Sequence, residues 1–216
     1  MKRWITSRSW LKPVFTAIGR TRCKAWDLIH GVDTCGDIPL VDLDFQSANK
    51  APGLEYQSHH PQLLRAFLEQ LEVDYRNYTF IDIGCGKGRV LLVASEFPFR
   101  KIIGVEFALP LAEVAKRNLV SYRSTAQKCR DMSVIAMDAV HYELPEEPEI
   151  LFFYSPFPPA VMEQVSQNIE RSLQKSPRDL LILFSGVLGA RDRAFGCRSQ
   201  YKRLRRDRHL DVYRRL

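Results

Sequence analysis

The stretch YTFIDIGCGKGRVLLVA, residues 78–94, limits what this chain can fold into more than any other. Phe80, Ile81 and Ile83 are apolar and β-favouring, a short run suited to a buried parallel strand. Glycines then alternate at Gly84, Gly86 and Gly88. Val90, Leu91, Leu92, Val93 and Ala94 follow as a helix buried on most sides. Strand, glycine turn and helix, in that order, aim backbone N–H groups and a positive helix terminus at a ligand. Glycine serves there because a side chain would hold the ligand away and because a tight turn calls for positive φ. Asp82 sits just before the turn, at the carboxyl end of the strand, where open α/β sheets take their ligands.

Two phosphate-binding patterns fit the loop poorly. A dinucleotide fingerprint wants G-x-G-x-x-G, and its third glycine, counted from Gly84, falls on Arg89. A P-loop wants Gly-Lys followed by Ser or Thr, and Lys87 is followed by Gly88.

The rest of the chain alternates. A helix follows Ser58, its expected N-cap, with Leu63, Leu64, Phe67, Leu68 and Leu71 on its apolar face. Strands are expected over 100–106, 133–137, 149–154 and 180–185, with helices over 110–122 and 159–173 between them. Residues 200–204 and 210–216 read as two further strands joined by a hairpin. The fold class is therefore α/β: a doubly wound, mostly parallel, seven-stranded Rossmann-like sheet with an antiparallel C-terminal hairpin.

Residues 1–55 differ in character from 56–216. The first 30 hold Trp4, Leu11, Phe15 and Ile18 at helical spacing with basic residues between them, and Pro13 starts or interrupts that helix. Residues 31–54 are rich in Gly, Pro and Asp, and read as a long loop or lid. The chain is thus expected to divide into a basic helix and lid segment, 1–55, and a catalytic domain, 56–216. Charge follows a related division. Residues 1–30 carry seven Lys/Arg against one Asp, and residues 186–216 carry ten against three Asp. The middle, 31–185, has 15 basic and 21 acidic residues, so the body is mildly acidic and both ends are basic. Such ends can meet an anionic surface, or they can be solvated.

No run of 18 apolar residues is present, so no transmembrane helix is expected. Five cysteines without a C-x-x-C pair argue for reduced thiols in a reducing compartment, here the cytoplasm, and against a zinc site. The acid-free, Arg- and Ser-rich first 26 residues also resemble an organelle transit peptide, and that alternative stays open.

The residues D-I-G-C-G-K-G-R resemble motif I of the class I S-adenosylmethionine (SAM)-dependent methyltransferases. The span from about residue 31 to 216 is similar to small bacterial methyltransferases related to the nucleosomal histone-lysine methyltransferases of this fold. The shared features are G-V-D-T and I-P-L within 31–40, Tyr56, motif I, G-V-E-F at 104–107 and an aromatic-Ser-Pro-Phe turn. The resemblance implies SAM as cofactor, held by Asp82, Gly84, Cys85, Gly86 and Gly88. An acid there suits a cofactor with an amino cation and a sulfonium. Glu106, 22 residues after Gly84, then takes the ribose diol, and Phe107 stacks on the adenine. Asp138, with Ala139, would receive the adenine amino group, and Tyr56 would touch the cofactor from the lid.

Tyr154, Ser155, Pro156 and Phe157 stand where amino-directed methyltransferases carry Asn/Asp-Pro-Pro-aromatic. They are the expected catalytic turn, with Ser155 departing from that pattern because a hydroxyl accepts one bond but offers no charge. The acceptor implied is an amino nitrogen of a protein or small molecule. RNA is the alternative, tracked by the basic ends, and a non-catalytic SAM-binding scaffold is the other. His59, His60 and His141 are the histidines weighed as bases, and none is assigned that role.

Overall fold

The computed structural model describes residues 12–36, 38–39, 55–56, 61–154, 157–185, 195–207 and 210–216. The chain enters through helix α1 (Lys12–His30), with Pro13 in its first turn, where a missing N–H leaves no bond unmade. Two short strands, β1 (Ile38–Pro39) and β2 (Glu55–Tyr56), pair antiparallel, with Ile38 opposite Tyr56. Helix α2 (Pro61–Leu68) follows; its expected cap Ser58 lies outside the described residues.

The alternating part then runs β3 (Thr79–Ile83), α3 (Arg89–Ala94), β4 (Lys101–Glu106), α4 (Leu109–Ser121) and β5 (Met132–Ala136). It continues with β6 (Glu149–Tyr154), α5 (Pro159–Lys175) and β7 (Leu180–Ser185), and ends in β8 (Tyr201–Arg206) and β9 (Leu210–Arg215). β3 to β9 form one seven-stranded sheet in the order β5-β4-β3-β6-β7-β9-β8. β5, β4, β3, β6 and β7 pair in parallel, while β9 is antiparallel to both β7 and β8. This is the expected doubly wound sheet with its terminal hairpin. From β3 the chain builds outward to β4 and β5, then returns to the other side of β3 through β6. The switch point therefore lies between β3 and β6, and the glycine turn leaves β3 there.

Period-two alternation sorts the strand residues onto two cores. Phe80, Ile150, Phe152, Leu181 and Leu183 face α2 and α3. Ile81, Ile83, Leu151, Phe153, Ile182 and Phe184 face α5, through Val161, Met162, Val165 and Ile169. Every residue of β3 is buried, as a central parallel strand requires. β5, at the sheet edge, is only half-buried. It begins and ends one residue earlier than its sequence suggested, which leaves Asp138 in the turn that follows.

Gly104 on β4 is a point of close approach. A Cβ there would lie 2.6 Å from Leu91 Cδ1 and 2.7 Å from Cys85 Sγ. The missing side chain lets α3 and the glycine turn seat against β4. Gly104→Ala is expected to destabilise the protein by about 1–3 kcal/mol through overpacking. Urea unfolding measures it; a change within error would mean that Cys85 and Leu91 have room to move aside.

Candidate cofactor site

The glycine turn is fastened to the end of β4. Gly84 and Cys85 donate their N–H groups to Val105 O, at 2.8 and 3.0 Å, and Gly86 donates to Glu106 Oε2 at 2.8 Å. Gly88 N–H returns to Cys85 O at 2.8 Å. These bonds curl the backbone tightly, and Gly84, Gly86 and Gly88 all have positive φ, at 87°, 53° and 83°. The curl turns the Cys85 side chain into the core beneath Gly104, so Cys85 can meet a ligand only through its backbone. Four of the amides between 84 and 88 are thus already bonded within the protein. A loop whose amides are engaged this way is a poor cradle for phosphate, in agreement with the misfit of both phosphate patterns.

What the site offers is negative charge. Asp82 pairs with Gly104 in the parallel register, and Glu106 lies two residues on, so both acids belong to one face of the sheet edge. Asp82 is 2% exposed and Glu106 4%. Burial lifts the Asp82 carboxyl well above the usual range, and the nearby Glu106 charge lifts it further. Its carboxylate has no hydrogen-bond partner among the described residues. Burial also pushes Glu106 up to about 7, against the opposing pull of backbone N–H bonds from Ala108, Gly86 and Phe107. Two buried acids at the switch point, one without a hydrogen-bond partner among the described residues, fit a cationic ligand.

A second set of contacts joins the N-terminal segment to this turn. Arg89, which displaces the third glycine of a dinucleotide loop, is 4% exposed. Its guanidinium meets Asp27 Oδ1 at 2.9 Å and Thr34 Oγ1 at 2.6 Å, and lies over the Trp26 ring. Asp27 also receives the hydroxyl of Thr34 and the N–H groups of Thr34 and Cys35. Lys87, 6% exposed, reaches Asp33 Oδ1 at 3.0 Å and Cys35 O at 3.1 Å. Asn118 on α4 ties Asp33 to Lys87 through the Asp33 backbone and Lys87 O. Residues 27–35 thus form a strap whose anchors are the two basic residues of the glycine turn. Sequence reasoning missed this, and the only available signal was the presence of two bulky cations inside a turn that otherwise needs small residues.

The remaining expected residues divide. Met137 N–H donates to Glu106 O at 2.9 Å, which brings the turn after β5 alongside Glu106. There Asp138 caps a short 3-10 turn by accepting from Val140 N–H at 3.1 Å, and Ala139 is buried in the α5-side core. Phe107 is half-buried next to Glu106. Tyr154 ends β6 two residues beyond Phe152, the partner of Asp82, which puts it at the same sheet edge. Phe157 packs half-buried against the α5-side core. Ser155, Pro156, His59, His60 and the side chain of Tyr56 lie outside the described residues; the Tyr56 backbone is in β2. His141 lines a groove of about 480 Å³ with Glu143, Asn168 and Arg171.

Two outcomes are expected. Arg89→Met leaves the buried Asp27 without its counter-ion, held only by the Thr34 and Cys35 donors, and should cost about 2–4 kcal/mol in chemical denaturation. A loss below about 1 kcal/mol would show the strap to be solvated. For Glu106, the folded chain keeps a proton between its ordinary 4.5 and about 7 that the unfolded chain releases. Stability therefore falls as pH rises through that window, by at most about 3 kcal/mol. Glu106→Gln should flatten this slope in melting curves, and it also relieves Asp82 of the neighbouring charge.

The family model for histone methylation protein DOT1 matches residues 53–138, about two-fifths of the chain. No curated protein sequence matches it closely enough to count as a relative. Solved structures do resemble it. A ribosomal protein L11 methylase from Lactobacillus delbrueckii subsp. bulgaricus superposes with a TM-score of 0.51 at 13% identity, over 76% of this chain and 81% of that one. A Pyrococcus horikoshii protein gives 0.52 at 14%, over 71% and 88%. A SAM-dependent methyltransferase from Leishmania major gives 0.51 at 13%, over 72% and 70%. By strand order, antiparallel terminal pair, glycine turn and these superpositions, the chain has the class I methyltransferase fold.

Proposed function

We propose that the chain binds SAM at the carboxyl edge of β3 and β4 and transfers its methyl group to an amino nitrogen of a protein or small molecule. The observation that carries this is the buried Asp82 carboxylate, without a hydrogen-bond partner among the described residues, beside Glu106 and over the glycine turn. The ligand that suits it is cationic and makes no demand on the engaged loop amides.

In this reading Asp82 receives the cofactor's amino group, with Gly84, Gly86 and the Cys85 backbone walling its methionine end. Glu106 faces the ribose. A carboxylate has about four acceptor sites, and three backbone N–H groups already bond this one. The two ribose hydroxyls therefore share what remains or displace an amide. Phe107, Asp138 and Ala139 flank the adenine, and Tyr56 is the lid residue that touches the cofactor. SAM, when bound, supplies a methyl group on a sulfonium that is already activated to leave. The chain's own task is then alignment and exclusion of water, with Tyr154, Ser155, Pro156 and Phe157 on the acceptor side.

An RNA acceptor draws little support from the basic tail. Arg206 pairs with Asp211, Arg214 with Asp179 and Arg215 with Glu170, while Arg205 meets Gln70 and Asp207. Paired in this way, these cations present a weaker field to phosphate than their number suggests.

Calorimetry tests the cofactor. SAM should bind, NAD should not, and Asp82→Asn should lose about 10- to 100-fold in SAM affinity. Unchanged affinity in that variant would overturn the assignment of the site. Because burial pushes Glu106 up to about 7 and raises Asp82 as well, SAM affinity of the unmodified chain should rise with pH up to about 7. Labelled SAM offered with separated protein, RNA and small-molecule pools tests the acceptor, and label in RNA would overturn the amine reading.

A further inference from the structure

The strap that carries Asp27 also carries two thiols. Cys23 lies one helical turn before Asp27, so both project from the same face of α1. Asp27 Oδ2 accepts the backbone N–H of Thr34 at 2.7 Å and of Cys35 at 2.6 Å. Those bonds fold the segment after α1 back over that face and set Cys35 against the turn that holds Cys23. The two side chains meet in a hydrogen bond. Both thiols are reduced and half-buried, within reach of a small reagent, whereas Cys85 and Cys129 are closed in the core. We infer that Cys23 and Cys35 are a redox pair whose disulfide staples the strap shut over Lys87 and Arg89.

The oxidant is a small disulfide such as oxidised glutathione. The Cys23 thiolate attacks one of its sulfurs; a Cys23–glutathione bond forms and one glutathione thiolate leaves. The Cys35 thiolate then attacks the Cys23 sulfur, the protein disulfide forms and the second glutathione leaves. Two protein thiols lose two electrons, one glutathione disulfide gains them, and two protons pass to the departing thiolates. The order follows from the surroundings. Burial, then Cys23 and then Asp27 push the Cys35 thiol up to about 11, with Arg89 opposing. Cys35 is therefore the weaker first nucleophile. Once Cys23 is capped, its share of that push is gone and Cys35 becomes easier to ionise. The staple acts on the strap because Cys35 O holds Lys87 and Cys35 N–H holds Asp27, which holds Arg89.

The test uses the full chain carrying Cys197→Ser, to remove the exposed thiol. It is equilibrated with mixtures of reduced and oxidised glutathione, quenched by alkylation, digested and mapped by mass spectrometry. A peptide linking residues 23 and 35 should appear as the mixture becomes oxidising and vanish with dithiothreitol. In the linked form, amide exchange at Thr34 and Cys35 should slow on the order of tenfold. Cys23→Ser and Cys35→Ser should abolish both effects while keeping the melting temperature of the reduced protein, which separates loss of the pair from loss of the fold. Two alkylated thiols across the whole range, or a reaction that stops at a Cys23–glutathione adduct, would overturn the pair. A linked peptide with unchanged exchange would overturn the stapling of the strap. None of these readouts depends on SAM.

Discussion

The grip of β4 on the glycine turn is the constraint on which the rest depends. Val105 O takes two consecutive amides and the Glu106 carboxylate takes the next. That grip sets the curl of the turn, buries Cys85 beneath Gly104, and aims α3 into the core. It also decides the chemistry of the site. Because the amides are engaged, the turn presents no concentrated positive field, and the electrostatic character of the edge passes to the two buried acids. Both acids sit in surroundings that resist ionisation. Local stability is thereby sacrificed at the place where a positive ligand would restore it, as is common at functional sites.

The two cations of the turn serve the protein rather than a ligand. Lys87 and Arg89 are among the few buried basic side chains described, and each is satisfied by groups of the segment 27–35. The turn is consequently held from two sides, by β4 below and by the strap beside it. Trp26 stacks near Tyr122 and His30 Nδ1 donates to Arg123 O, which extends the same docking to the end of α4. A helix that composition describes only as basic and amphipathic ends as a packed part of the domain surface.

Much of the sheet was legible because buried parallel strands are written as short, dense apolar runs. β6 and β7 fall on the expected residues, and the antiparallel tail appears where two strand-like runs flank a polar hairpin. β5 slipped by one because an edge strand, half-buried along its length, carries a weaker pattern. Asp82 and Glu106 were legible as site residues from their positions at strand ends. The Asp27–Arg89 pair was not, since 62 residues separate its partners and neither belongs to a periodic pattern. The inward turn of Cys85 and the capping role of Asp138 depend on backbone geometry that residue type alone does not encode.

The strap has one more consequence, in time rather than in space. It is translated before its anchors: Lys87 and Arg89 lie more than 50 residues downstream, and Asn118 lies 85 residues beyond Asp33. On the ribosome, α1 and its following loop must wait, undocked, until β3, the glycine turn and α4 have emerged. Contacts of such long sequence separation form late and slowly. The strap is therefore seated only after the elements that anchor it, and its arrival reports that β3, the glycine turn and α4 are already in place.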